Sequence, residues 1–508
     1  MPAPDLSSIT TDLLGKPRIY GSTIDIGAYE YQDTYRVVVP NANGIIYVNS
    51  SITSGNKDGS SRSNAFIRLC DALKFSEAMN AVTPETVKQI WVAEGTYYSI
   101  HKSAEIDGNG KFTTDRDNVF SMVKEVKVYG GFIGTESDVD ERDWKNNPSI
   151  LSGGLLKNDD ETDPTTLEDN TYHVVLFAND AGNALIDGFT ITGGYANGSG
   201  SRPIKVNDID IFNGRGGGLY VKYSSPILSN LTVIENKANF GGGIFINFAS
   251  PNTINITVTK NIAYNSGGGA YNLYSTPAIT NLIITENTAL GGLPGGTPTG
   301  GGGGLVNLNS DAIITNMLIA NNTAANGGGL FNYNSSPKLT NITIADNSAN
   351  LGGGMYNGGE SHPVGKNSII WGNGNNGVYA EAGCANNCYY SLVEEKTETD
   401  SNGNISGDVD PLFIGSGNYR LSAASPVANK GNNEYYEAGQ NPDISAITTD
   451  LDGNPRIRYG IVDLGHTSLI TPVTRQTYNN YTLMGNHMTL TKLILFPAII
   501  REVLLMSR

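Results

Sequence analysis

Between residues 216 and 356 the apolar positions come in short alternating runs, not in stripes of helical period. Leu231/Val233, Ile256/Val258, Leu282/Ile284, Met317/Ile319 and Ile342/Ile344 each set two apolar residues two positions apart, the signature of a strand with one buried face. Gly, Pro, Ser and Asn bound every run, and these residues turn the chain. A single such unit has nothing against which to bury its apolar face. Stacked at a strand spacing of about 4.8 Å, successive units place each inward residue over its predecessor and build one continuous core. The pattern predicts an all-β solenoid of the parallel β-helix type.

The units also match position by position. A triple glycine followed by an apolar residue begins at Gly216, Gly241, Gly267, Gly302, Gly327 and Gly352, in steps of 25, 26, 35, 25 and 25. Turn positions follow at Pro226, Pro251, Pro277, Ala312 and Pro337. Two asparagine columns come next: Asn230, Asn255, Asn281, Asn316 and Asn341, then Asn236, Asn261, Asn287, Asn322 and Asn347. A side-chain amide both donates and accepts, so stacked asparagines at a turn form a ladder; both columns are expected to be buried and structural. Asn230-Leu-Thr, Asn255-Ile-Thr and Asn341-Ile-Thr match the N-glycosylation pattern, but their fixed place in the repeat favours packing. The glycines are expected to supply positive φ and close approach of coil to coil. Phosphate cradling fails, because no copy carries the Lys-Ser/Thr ending of a P-loop.

Outside the repeats, Ile45–Val48 and Ile90–Ala93 read as strands and 64–80 as a helix with Phe66, Leu69, Cys70 and Leu73 on one face. Such a helix covers the open first coil, as a solenoid end requires. Ile9-Thr-Thr-Asp-Leu-Leu-Gly-Lys-Pro-Arg-Ile19 recurs as Ile447-Thr-Thr-Asp-Leu-Asp-Gly-Asn-Pro-Arg-Ile457. The expected organisation is therefore 1–32 as the tail of a preceding module, 40–110 as an N-terminal cap, 111–395 as the β-helix, 396–465 as the closing segment and 466–508 as an aberrant tail. The second copy departs from the first at His466, so a frameshifted tail that adds nothing to the fold is expected.

Several of these segments carry a resemblance. Ile46-Tyr-Val, Ile90-Trp-Val-Ala-Glu-Gly-Thr-Tyr97, Val128-Tyr-Gly-Gly-Phe-Ile-Gly-Thr-Glu136, Arg142-Asp-Trp144, the Gly-Gly-Gly and Asn-Ala coils, Asp410-Pro-Leu-Phe413 and Ser425-Pro426 resemble bacterial surface proteins of the right-handed parallel β-helix type. Choice-of-anchor-Q proteins of Bacteroidetes and chlamydial polymorphic membrane protein repeats are the families concerned. The resemblance implies a single-stranded right-handed parallel β-helix solenoid with a small N-terminal helical cap, and export to the cell surface. The usual tryptophan after the first Gly-Ser stretch is replaced by Ser60-Ser61-Arg62.

Composition narrows the partners. Of 508 residues 33 are basic and 49 acidic, a net charge of −16, which repels nucleic acid and anionic lipid alike. No apolar run is long enough to span a bilayer, and the amino terminus lacks the features of a secretory signal, so a leader missing from this chain is expected. Three cysteines are too few for a disulfide framework; Cys384 and Cys388 suit a local disulfide or two packed thiols, and Cys70 a buried thiol with no histidine near it. A monomeric module of a longer protein is expected.

Catalytic candidates are sparse. Asp208 and Asp210, two apart on one strand face, would stand about 6.6 Å from one another, within the range of a glycosidase pair. Asp159, Asp160 and Asp163 form a cluster of oxygen ligands of the kind Ca²⁺ takes, and Ca²⁺ is the one cofactor weighed. His362, in Glu360-Ser361-His362-Pro363, falls in the turn slot of the repeat and reads as a loop residue. The insertion Leu290–Thr299 projects from one coil as a spacer or ligand contact. The sequence reading is a secreted or cell-surface stalk or adhesin-like module without catalysis, binding a surface glycan or protein. A polysaccharide lyase or glycoside hydrolase is the alternative.

Overall fold

A computed structural model describes residues 40–103, 113–160, 164–199, 203–291, 301–394, 396, 401–458 and 460–469, together with the backbone of two short strands within 481–488. The proposed module tail 1–32, Asp163, most of the insertion 290–299 and most of the tail 466–508 lie outside the described residues.

The chain is an all-β parallel β-helix. Each coil contributes one strand to a long sheet that runs from Ile45–Val48 through Gln89–Ala93, Lys127–Phe132 and Leu185–Asp187 to Ile227–Ile234, Asn252–Thr259, Ala278–Thr285, Ile313–Ala320 and Lys338–Ala345. A second sheet stacks Val175–Ala178, Leu219–Lys222, Ile244–Asn247, Ala270–Leu273, Leu305–Leu308, Leu330–Tyr333 and Met355–Gly358. Between them lies a shorter face of Tyr195–Ala196, Lys237–Phe240, Ile262–Ser266 and Thr288–Ala289. Pairing is parallel and keeps the repeat register: Leu231 lies beside Ile256, Ile256 beside Leu282, Leu282 beside Met317 and Met317 beside Ile342. These residues are buried with Leu219, Ile244, Leu305 and Leu330 in one core.

The glycine triplets make the sharp turn into the second sheet. The first glycine of each has positive φ, 65° at Gly216 and 63° at Gly241, a conformation open to glycine at little cost. The second sits where coils touch: a Cβ on Gly217 would lie 2.4 Å from the Lys237 carbonyl oxygen and 2.7 Å from that of Gly242.

The two asparagine columns differ. Asn236, Asn261, Asn287, Asn322 and Asn347 are buried, and each side chain donates to the amide oxygen of the next coil, as from Asn261 to Asn287 at 3.0 Å and from Asn322 to Asn347 at 2.9 Å. The outer column runs the other way, Asn255 donating to Asn230 at 3.0 Å and Asn281 to Asn255 at 2.9 Å. Its members have positive φ, 51° at Asn230 and 56° at Asn255. Asn255 is exposed and Asn230 and Asn281 are half-buried, because a left-handed residue in mid-strand turns its side chain outward, whereas Asn316 and Asn341 are buried as expected. The outer column begins on Asp187, which takes two bonds from Asn230 and pairs with Arg142 at 2.6 Å.

At the first coil the helix spans Leu69–Val82, not 64–80. Arg62–Asn64 forms a separate 3-10 turn capped by Ser61, and Arg68 remains extended before the helix starts. Leu69, Cys70, Ala72 and Leu73 are buried in the main core with Ile46 and Ile90.

At the far end the closing segment folds back over the outer column. Asn316 donates to the Thr449 carbonyl at 2.9 Å and Asn341 to that of Asp463 at 2.9 Å. Packing continues past Gly465. His466, Thr467, Ser468 and Leu469 are buried; His466 Nδ1 lies 2.7 Å from Thr343 Oγ1, and the Ser468 amide donates to Asp450 at 2.6 Å. Leu469 packs with Ile369, Leu392, Leu421, Val427 and Leu464. The departure in sequence at His466 is thus not a departure in packing, because these four residues complete the apolar and polar contacts of the closing segment.

Candidate functional site

A cleft of about 430 Å³ lies along the short third face. Its floor follows from the repeat: Lys237, Ile262 and Thr288 are neighbours in register on adjacent strands. One wall is the turn just before the buried asparagine column, where Glu235, Lys260 and Glu286 stack with φ of 57°, 56° and 58°. Left-handed backbone there turns these charged side chains away from the core. The other wall comes from the non-repetitive loop 153–170 and from Thr192–Tyr195.

Asp159 stands at the rim. The residue as a whole is exposed, but its carboxylate turns toward Gly193 and accepts from Asn170 Nδ2 at 3.1 Å. Partial burial raises its carboxyl above the usual carboxylate range, and the Asn170 hydrogen bond opposes this. Asn170 is buried and also donates to the Gly193 carbonyl at 2.8 Å, which fixes the loop on the coil. Tyr195 closes one end, its hydroxyl 3.2 Å from that of Tyr264; burial and this contact raise the Tyr264 hydroxyl's pKa.

The sequence-derived candidates fall apart from one another. Asp208 and Asp210 do not share a strand face. They belong to the hairpin Ile204–Val206 and Ile209–Ile211, with Asp208 at its turn at φ 62° and Asp210 on the strand beside Lys205, 3.0 Å away. The Asn207-Asp208 turn chemistry that makes a two-residue hairpin overrode the strand reading. Asp159 lines the cleft, whereas the Asp160 amide is held by Thr166 Oγ1 at 2.9 Å; the described residues there do not form a three-ligand acidic cluster. His362 is exposed in its turn. The Cys384 thiol donates to the Gly359 carbonyl at 3.1 Å and the Cys388 thiol to Asn386 Oδ1 at 3.5 Å.

One expectation fails outright. Cys70 does have a histidine near it: His101, from the end of the next coil, bonds Asp71 at 2.6 Å and has a ring nitrogen within 4.8 Å of the thiol sulfur. Thirty residues separate the two in sequence, with no motif spacing to announce the contact. A further asparagine column was also missed. Asn272, Asn307, Asn332 and Asn357 are buried and bonded in series at 2.9–3.0 Å. Its signal was present, since each is the third residue after a glycine triplet.

No protein-family model and no curated relative matches the chain. Among solved structures it is similar to the pectate lyase Pel9A, at 14% identity over 84% of this chain and 96% of that one, with a TM-score of 0.37. It is similar to PfbA, a surface adhesin of Streptococcus pneumoniae, at 10% identity over 64% and 75%, with a TM-score of 0.26. The Dettilon tailspike protein gp208 matches at 11% identity over 68% of both chains, with a TM-score of 0.30.

Proposed function

We propose that the chain is a secreted or surface-displayed β-helix module, of the bacterial surface type its sequence resembles, that acts as a stalk and non-catalytic binding protein. Its ligand contact is the cleft beside Asp159. The observation that carries this reading is a contrast in side-chain use. Along the coils polar side chains bond to their own copies, whereas in the cleft Asp159, Glu286, Lys237 and Lys260 bring unlike charges together on about 430 Å³ of open space. Acceptors and donors so mixed suit the hydroxyls of a neutral surface glycan, and Tyr195 offers an aromatic edge. A polyanionic ligand is disfavoured by the chain's net charge of −16.

Glycan-array binding followed by calorimetry tests the reading. Lys237→Ala and Asp159→Asn are expected to weaken retention at least about tenfold, the loss of one hydrogen bond to a charged group. Retention unchanged in both variants rejects the cleft as the binding site.

The alternative, a carbohydrate-active enzyme, draws on one observation: a carboxyl raised by burial, as at Asp159, is what a general acid requires. Release of unsaturated or reducing ends from a polyuronate or neutral glycan, abolished by Asp159→Asn, would replace the binding reading with this one. The same assay on Asp208→Asn and Asp210→Asn, with and without Ca²⁺, is expected to show no turnover to lose.

A further inference from the structure

The helical cap and the coil above it bring together three different metal-ligating side chains. Cys70 and Asp71 open the helix Leu69–Val82, and His101 follows the strand Gly95–Tyr98. One donor atom from each lies within 4.8 Å of the others, and among the described residues no other trio of His, Cys, Asp or Glu does so. His101 Nε2 and Asp71 Oδ1 are 2.6 Å apart. A tetrahedral zinc ion with bonds of about 2.0–2.3 Å holds its ligands about 3.5 Å apart, so the His–Asp pair need open by only about 1 Å to admit the ion.

A second observation points to a ligand. Cys70 and His101 border an open cavity of about 360 Å³ lined also by Leu73, Lys74, Glu77, Lys102 and Ser103. The Ser103 hydroxyl is buried there without a hydrogen-bond partner. The cavity thus reaches two of the three side chains, Cys70 and His101. Nearby cations do not close the site. Arg68 stays 3.8 Å from the outer oxygen of Asp71, and Lys102 is engaged with the Thr113 carbonyl at 3.2 Å and with Asp115 at 3.7 Å.

The geometry points to a binding site for one divalent transition metal of borderline softness, zinc foremost, with Cys70 Sγ, Asp71 Oδ1 and His101 Nε2 as ligands and water from the cavity as the fourth. Thiolate, imidazole and carboxylate together select such ions over Ca²⁺ or Mg²⁺. Binding through the thiolate breaks the S–H bond, forms the metal–sulfur bond and releases one proton to solvent. This site is remote from the Asp159 cleft in its lining residues and is independent of the glycan reading.

Full-length, metal-free protein titrated with Zn²⁺ against a chromophoric chelator, and separately with Co²⁺, tests the assignment. One equivalent is expected to bind with release of a proton, Co²⁺ is expected to show a thiolate charge-transfer band, and the melting temperature is expected to rise. Cys70→Ser is expected to abolish the band and His101→Gln to weaken affinity at least tenfold, while Cys384→Ser leaves both intact. His101→Gln is the check on folding, because its partly exposed ring can be replaced without opening the core. No binding by the unaltered chain, or a band that survives Cys70→Ser but is lost in Cys384→Ser, overturns the proposal.

Discussion

The inner and outer asparagine columns use the same residue, one per coil, a few positions apart, for different physical purposes. Asn261 in the inner column donates to the carbonyls of Val233 and Thr259 and to Asn287, and its oxygen accepts from the backbone and side chain of Asn236. All of this occurs out of contact with water. Asn255 in the outer column makes side-chain bonds along the surface, and its positive φ of 56° is the more demanding requirement. The inner column is kept for its amide, the outer for its tolerance of left-handed backbone. Where the closing segment arrives, the outer column changes character again: Asn341 is buried and bonds Asp463, Gly465 and Tyr436.

The largest expected effect comes from shortening the segment that covers that last stretch. A chain ended at Gly465 loses the burial of Leu469, worth about 1.5–3 kcal/mol. It also loses the amide bond of Ser468 to Asp450, and hydrogen bonds to charged groups are worth about 1.5–3 kcal/mol each. Its unfolding midpoint should fall well below that of a chain ended at Leu469. Equal midpoints would mean that His466–Leu469 contribute nothing to the closing segment.

Next in size is the response to acid, which separates buried polar contacts from exposed ones. Burial lowers His173 to about 4 and His466 to about 3. Both imidazoles are therefore neutral in the folded chain while the unfolded chain takes up protons near the ordinary histidine value of about 6.5. Their contribution is complete above that value and is lost as pH falls through it toward 4. Denaturation at stepped pH should show this slope, and His173→Gln should flatten it; an unchanged slope in the variant contradicts the buried neutral ring.

Smaller again is Asn255→Ala, expected to cost about 1–2 kcal/mol because alanine resists left-handed backbone, whereas Asn255→Gly should be close to neutral. Lys260 shares that backbone, at φ 56°. Lys260→Gly should therefore change stability by at most a few tenths of a kcal/mol, since steric relief offsets the added chain entropy of glycine. Thermal melts of the three variants decide whether backbone or side chain governs the outer positions.

The solenoid was legible because its evidence repeats. Leu231, Ile256, Leu282, Met317 and Ile342 are equivalent in sequence and are neighbours in space, so periodicity converts directly to register. What periodicity could not supply was burial: Asn255 and Asn261 look alike in the repeat, and only the sign of φ separates them. The site was far less legible. Asp159 was noted in an acidic run, but its pairing with Asn170 and its place over Lys237 depend on a loop without repeats. The approach of His101 to Cys70 depends on how a cap helix seats on a coil, and Asp208 was misplaced because a hairpin turn was taken for a strand.

The central claim is that the inner column holds the coils together through its amides and the outer column does not. Equilibrium urea denaturation of Asn261→Gly and Asn255→Gly tests it most directly, because glycine satisfies either backbone and removes only the side chain. The account predicts a loss for Asn261→Gly of at least about 1–3 kcal/mol, the cost of leaving one buried partner unsatisfied, and little change for Asn255→Gly. Equal losses in the two variants would contradict it.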